Sequence, residues 1–221
     1  MGTTDFTLLG APSNTPGIIF TATEHGFTQH GSSGTIIPED FSSTVAIGHN
    51  ALSFTSPTTD WGGIRNTAIG AFSLESNTTG YDNTAIGSNT LRYHLTDGFN
   101  TAVGSYSMWK STHSALNTAI GAYTLYSTTT GRSNVAVGAE ALFNNTTGGD
   151  NTCVGYASLN SNTTGGNNVG IGGMALDHNT TGNNNISIGY LAGAYLTTGS
   201  NNVINSLYMI QSCTMNPLMV I

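Results

Sequence analysis

The motif Asn-Thr-Ala-Ile-Gly recurs along the chain with its asparagine at 66, 83, 100, 117, 134, 151, 168, 185 and 202, always 17 residues apart. A period that never slips across nine starts requires stacked, nearly identical units and an elongated repeat architecture. Seventeen residues are too few for a helix pair and suit one coil of a parallel β-solenoid or β-roll. The expected fold class is therefore all-β. At the inter-strand spacing of about 4.8 Å, the coils would form a rod roughly 40 Å long.

Taking the motif asparagine as position zero, +1 is always β-branched, running from Thr67 and Thr84 to Ile186 and Val203. Position +3 is Ile69, Ile86, Val103, Ile120, Val137, Val154, Ile171 and Ile188. Two β-branched positions spaced by two mark one face of a short strand, and this face is expected to line the interior. On the other face, +2 holds Ala68, Ala85, Ala102, Ala119 and Ala136, then Cys153, Gly170 and Ser187. A solvent-facing column would drift toward larger polar residues, so its small size predicts close approach of another backbone, preferentially that of another chain. Position +4 is Gly70, Gly87, Gly104, Gly121, Gly138, Gly155, Gly172 and Gly189, which predicts a corner with φ > 0 or no room for a Cβ. Position +8 supplies a second core row, Leu74, Leu91, Met108, Leu125, Leu142, Leu159 and Leu176, before Gly193. Thr-Thr-Gly at +12 to +14, as in Thr78-Thr79-Gly80, is turn chemistry. The asparagines are expected to stack and hydrogen-bond from coil to coil. Few apolar side chains per coil make a thin core, and association through the +2 face would reinforce it; a homotrimer is the natural closed form for a fibre.

Charged residues make up only 7% of the chain, against roughly 25% in an ordinary domain. The phasing of the apolar residues nevertheless argues against disorder. With a net charge of −7 and four basic residues, Arg65, Arg92, Lys110 and Arg132, the chain lacks the basic face that nucleic acid or an anionic membrane requires. No apolar run is long enough for a transmembrane helix. The first five residues show no signal-peptide pattern, so the expectation is exit by another route, such as lysis, or a leader outside this sequence. Cys153 takes a small-residue position and reads as a buried thiol, and with Cys213 it makes no disulfide framework.

No enzymatic chemistry is expected, and no cofactor or metal. His25, His30, His49, His94, His113 and His178 lack ligand spacing, with His25 and His30 beside Glu24 the least improbable cluster. Glu75, Asp82, Asp97, Glu140, Asp150 and Asp177 lie in different columns and mark no glycosidase pair. Gly170 to Gly173 lacks the strand-to-helix context of a nucleotide loop. Tyr93, Trp109, Tyr126 and Phe143 lie at +9 or +10 of consecutive repeats; they form either a packing cluster or a strip for stacking glycans. An ice-binding role is disfavoured because the threonine column at +1 lapses into Val and Ile. Asn77, Asn144, Asn145, Asn162, Asn179 and Asn185 fit the glycosylation pattern, which matters only in a eukaryotic secretory source.

The motif, its following leucine and the Asn-Thr-Thr-Gly turn resemble the head repeats of trimeric autotransporter adhesins. They are still more similar to related repeats in bacteriophage tail-fibre and other surface-fibre proteins. The resemblance covers residues 44–205. It implies a left-handed parallel β-roll, assembled as a homotrimer, exposed on a virion or cell surface and used for attachment to a host glycan or receptor. The 17-residue coil is longer than the usual adhesin head repeat. No heptad stalk, membrane-anchor barrel or C-terminal chaperone domain accompanies it.

Three segments are expected: an N-terminal cap or connector at 1–43, the repeat domain at 44–205, and a C-terminal cap or assembly tail at 206–221. A degenerate first repeat at Thr44 to Gly48 precedes an insertion around Ser56 to Ile64 that contains Trp61. Open solenoid ends expose strand edges that must be capped or paired. The tail, with Leu207 to Ile210 and Leu218 to Ile221, either caps its own chain or adds to the next subunit. The second arrangement would make an end-to-end polymerising extracellular filament.

Overall fold

The computed structural model describes residues 20–23, 26–29, 44–53 and 63–205. Most of the expected N-terminal cap or connector, the Trp61 loop, the His25–His30–Glu24 cluster and the tail beyond 205 lie outside the described residues. Two strands, β1 (Phe20–Thr23) and β2 (Gly26–Gln29), pair antiparallel. The rest is a parallel solenoid. Its strands are β3 (Val45–Ile47), β4 (Thr67–Ile69), β5 (Thr84–Ile86), β6 (Thr101–Val103) and β7 (Thr118–Ile120). They continue with β8 (Val135–Val137), β9 (Thr152–Val154), β10 (Val169–Ile171), β11 (Ile186–Ile188) and β12 (Val203–Ile204). Each strand pairs in register with the next, so identical motif positions stack in one ten-stranded sheet.

The corner glycines are where the sequence places them, and the reason is steric. Gly48 and the glycines from Gly70 to Gly189 have φ between 127° and 135°, a region open only to glycine. A Cβ at Gly121 would lie 2.6 Å from the carbonyl of Gly138 in the next coil. Three further columns carry left-handed backbone, with Gly193 the one glycine among their described members: +6 (Tyr106, φ 57°), +8 (Leu125, φ 51°) and +16 (Asp150, φ 58°). Each such residue other than glycine costs about 1–2 kcal/mol, which inter-coil bonding offsets. At +8 the amide donates to the following coil, as from Leu125 to Ala141. At +6 and +16 it donates to the preceding coil, as from Tyr106 to Ser88 and from Asp150 to Arg132.

The strand faces are reversed from the expectation. Ala68, Ala85, Ala102, Ala119, Ala136 and Cys153 are wholly buried, packed in one core cluster with the leucine column. The +3 residues Ile69, Ile86, Val103, Ile120, Val137, Val154, Ile171 and Ile188 face outward, none of them buried, and so do the +1 residues. The cause is the thinness of the roll. Its own leucines approach the strand so closely that a Cβ added at Gly170 would sit 2.8 Å from Leu159 Cδ1. The +2 column is therefore small because of the same chain's interior, and Ala68 to Ala136 form no external docking face. Leu74, Leu91, Leu125, Leu142, Leu159 and Leu176 are fully buried, as the +8 row was expected to be.

Two polar ladders complete the core. Each motif asparagine from Asn100 onward donates from Nδ2 to the Oδ1 of its predecessor, with Asn134 to Asn117 at 3.1 Å. The same Nδ2 reaches a carbonyl of its own coil, Gly148 at 3.0 Å, and the Asn134 amide donates to the Asn117 Oδ1 at 2.9 Å. A second column at +11 runs Asn77, His94, Ser111, Thr128, Asn145, Asn162 and Asn179, all buried. Asn162 donates to Asn145 Oδ1 (2.8 Å), and Asn179 to Asn162 Oδ1 (3.2 Å). The glycosylation-pattern residues Asn77, Asn145, Asn162, Asn179 and Asn185 are thus interior ladder members, while Asn144 is exposed.

Candidate interaction surfaces

The reversal of the strands puts a charge-free stripe on the outside of the sheet. Its +1 column is Val45, Thr67, Thr84, Thr101, Thr118, Val135, Thr152, Val169, Ile186 and Val203; its +3 column is the Ile/Val row beginning at Ile47. Ile47, Ile86, Ile120, Val154, Ile171 and Ile188 are 37–47% exposed. Ten residues at +1 and nine at +3, from Ile47 to Ile188, make a face about 45 Å long and about 10 Å wide, on the order of 450 Å². The stripe is free of charge and rich in Ile and Val, with threonine at five of the ten +1 positions. The threonines expected inside also face out here. Val135, Val169, Ile186 and Val203 interrupt them, so they make no continuous hydroxyl array.

A second surface is aromatic and confined to coils 83–150. Tyr93, Trp109, Tyr126 and Phe143 do come together, joined by two rings from +6, Tyr106 and Tyr123. Trp109 stacks on Tyr126 (5.1 Å between centroids, 15°) and Tyr126 on Phe143 (4.9 Å, 3°). In the parallel column Tyr106 stacks on Tyr123 (5.3 Å, 4°). Tyr93 meets Trp109 edge-on at 5.1 Å. The rings are stacked along the rod because in-register coils place like side chains one above another. Their faces are turned toward each other, so the surfaces a sugar ring would stack on are largely occupied. The participation of Tyr106 and Tyr123 was readable from their shared column, which also holds Phe72.

Charges follow the same vertical logic. Arg65 holds Asp82 with two bonds of 2.7 and 2.6 Å, keeping that carboxyl below its usual range. Arg92 pairs with Glu75 at 2.5 Å and lies 4.6 Å from the Phe72 ring centre. Arg132 reaches Asp97 at 3.1 Å, and Lys110 lies over Tyr126.

Among the described residues, the interior holds one titratable base, His94. His94 Nδ1 lies 3.1 Å from Ser111 Oγ, which is 2.5 Å from Ser114 Oγ, and Nε2 is 3.3 Å from the Asp97 carbonyl. Burial lowers its pKa to about 4, so the ring is neutral at pH 7. Burial likewise pushes the Cys153 thiol up, which keeps it protonated and unreactive. Among the described residues, no group of three or more His, Cys, Asp or Glu side chains could hold a metal ion. Comparison with protein-family models, curated proteins and solved structures returned no match.

Proposed function

We propose that this chain is a non-enzymatic structural module of a surface fibre or adhesin, displayed on a virion or cell surface, and that it self-associates as a homotrimer. The observation that carries the reading is the uninterrupted outward stripe of β-branched side chains. A monomer would leave a charge-free face of this length in water. Packing against copies of itself would bury the whole +3 column, and stiff β-branched side chains lose little rotamer freedom when they pack. A closed three-fold arrangement leaves the aromatic strip and the turns as the parts that vary along the rod, and attachment to a host glycan or receptor would use the turns and the exposed parts of Tyr93 and Tyr123 rather than the ring faces turned on each other. The likeness of the repeat to adhesin heads and phage fibres, with their left-handed trimeric rolls, supports the same reading.

The test is mass in solution by sedimentation and light scattering, with electron micrographs. A discrete trimer that dissociates in the double variant Ile120→Lys, Val154→Lys is the expected result. A stable wild-type monomer would sink the proposal, and long rods of uniform width would replace it with the end-to-end filament.

A further inference from the structure

The aromatic strip holds two phenols in a relation that the scaffold function does not use. Tyr106 and Tyr123 occupy the same column one coil apart, with nearly equal φ (57° and 58°), and their rings are parallel at 5.3 Å. Tyr123 is 41% exposed, so its hydroxyl can pass a proton to water. Trp109 lies 6.1 Å from Tyr106 by ring centres and stacks on Tyr126, which in turn lies 5.8 Å from Tyr123. Its indole Nε1 is buried without a hydrogen-bond partner. An oxidised Trp109 would therefore have no acceptor for its proton and would draw its missing electron from a neighbouring tyrosine that does.

We propose that Tyr106 and Tyr123 form an oxidative cross-linking site that ties coil 100–116 covalently to coil 117–133. A one-electron oxidant of the peroxidase or photochemical class removes one electron from each phenol, and each hydroxyl proton leaves to water. The two phenoxyl radicals join through ring carbons ortho to oxygen. Each ring then moves its displaced ortho hydrogen, as a proton, back to a phenol oxygen. The net change is two tyrosines to one dityrosine, with two protons released and two electrons taken up by the oxidant. The product is a rung between coils at the surface, in a rod otherwise held by hydrogen bonds and packing. The other described tyrosines lack a parallel phenol: Tyr126 stacks on Trp109 and Phe143 and is tilted by 51° to Tyr123, Tyr93 meets Trp109, Tyr81 meets Phe99 and Tyr195 meets His178, while Gly173 stands in the +5 column between Tyr156 and Tyr190.

The folded protein, dilute and mixed as light and heavy isotopic forms, would be illuminated with a ruthenium photosensitiser and persulfate, then denatured and cut with trypsin. Cleavage after Arg92, Lys110 and Arg132 places Tyr106 in fragment 93–110 and Tyr123 in fragment 111–132. The expected product is these two fragments joined, two hydrogens lighter than their sum, with light paired to light and heavy to heavy. Tyr106→Phe and Tyr123→Phe should each abolish it, whereas Tyr93→Phe and Tyr126→Phe should leave it. Both Phe changes keep the ring and hence the stack. Absence of the joined pair in wild type, its survival in either abolishing variant, or random mixing of isotopes would each overturn the proposal.

Discussion

Coils 66–133 and coils 134–201 share corners, an outward β-branched stripe and a motif-asparagine ladder, but their second interior column differs. In the later coils Asn145, Asn162 and Asn179 pass amide bonds from one to the next. In the earlier coils the same column holds Asn77, His94, Ser111 and Thr128, and the ladder is broken. Asn77 Oδ1 has no donor because His94 directs its nitrogens to Ser111 and Asp97. Asn179 Oδ1 has none because Leu196 follows it in the column. The earlier coils carry compensating contacts outside: two ion pairs between adjacent coils and most of the ring stack. One backbone is thus stacked by buried amides in one half and by surface rings and charges in the other.

What the halves have in common should fail equally in both, and this is the largest effect. Gly121→Ala and Gly155→Ala each force a side chain into a glycine-only conformation and into the next coil's carbonyl. Each should cost about 4 kcal/mol or more, read by chemical denaturation with hydrogen exchange assigning the loss to its half. Tolerance of alanine in one half alone would mean that the corners are not equivalent.

The period, the strand triplets, the corner glycines, the leucine column and the asparagine ladder were legible because each is a constraint repeated in one column. The direction of the strand was not. Alternation separates two faces without saying which is inside, and alanine at +2 fits both a thin core and a docking face. Two hints pointed inward: Cys153 in that column is a residue type usually buried, and an asparagine whose side chain bonds between coils must share the inner face with its +2 neighbour. The left-handed columns at +6 and +8 were hidden because side chains such as Tyr and Leu hold most of them, whereas Asp82, Asp150, Asn167, Asn184 and Asn201 at +16 are of the types that favour that region. The stacked aromatics could be foreseen from their columns; that their faces would be turned on each other depends on coil geometry.

The second interior column should separate the halves at a middle scale. Asn162→Ala removes the donor to Asn145 Oδ1 and to the Gly165 carbonyl, and the acceptor for Asn179. At about 1–3 kcal/mol per stranded buried group, a loss of about 3 kcal/mol is expected. Thr128→Ala removes only a long 3.5 Å bond from Asn145, which keeps its bond to Gly148, so the loss should stay below about 1 kcal/mol. Equal losses in denaturant midpoints would show that the amide ladder contributes no more than the mixed column.

The gentlest perturbation is a single proton, and the buried imidazole that takes it belongs to the earlier half. His94 titrates at about 4 in the fold against an ordinary 6.5, with burial the main cause. The Asp97 carbonyl and charge oppose that shift, while His113 adds to it. Between those values the unfolded chain binds the proton and the folded chain does not, so stability rises with pH. It is full above about pH 6.5, lower by about 1.4 kcal/mol at pH 5.5, and stops falling below about pH 4. Hydrogen exchange should show protection lost first in coils 83–116 as pH drops, after correction for the intrinsic exchange rate, with no loss in coils 151–184, where the Asp177 carboxyl, raised by burial, gains stability as pH falls. His94→Asn removes the titrating group and supplies a donor toward Asn77 Oδ1, so it should abolish this dependence. If acid loosens both halves of the wild type equally, the carboxylates govern the response and the buried imidazole does not.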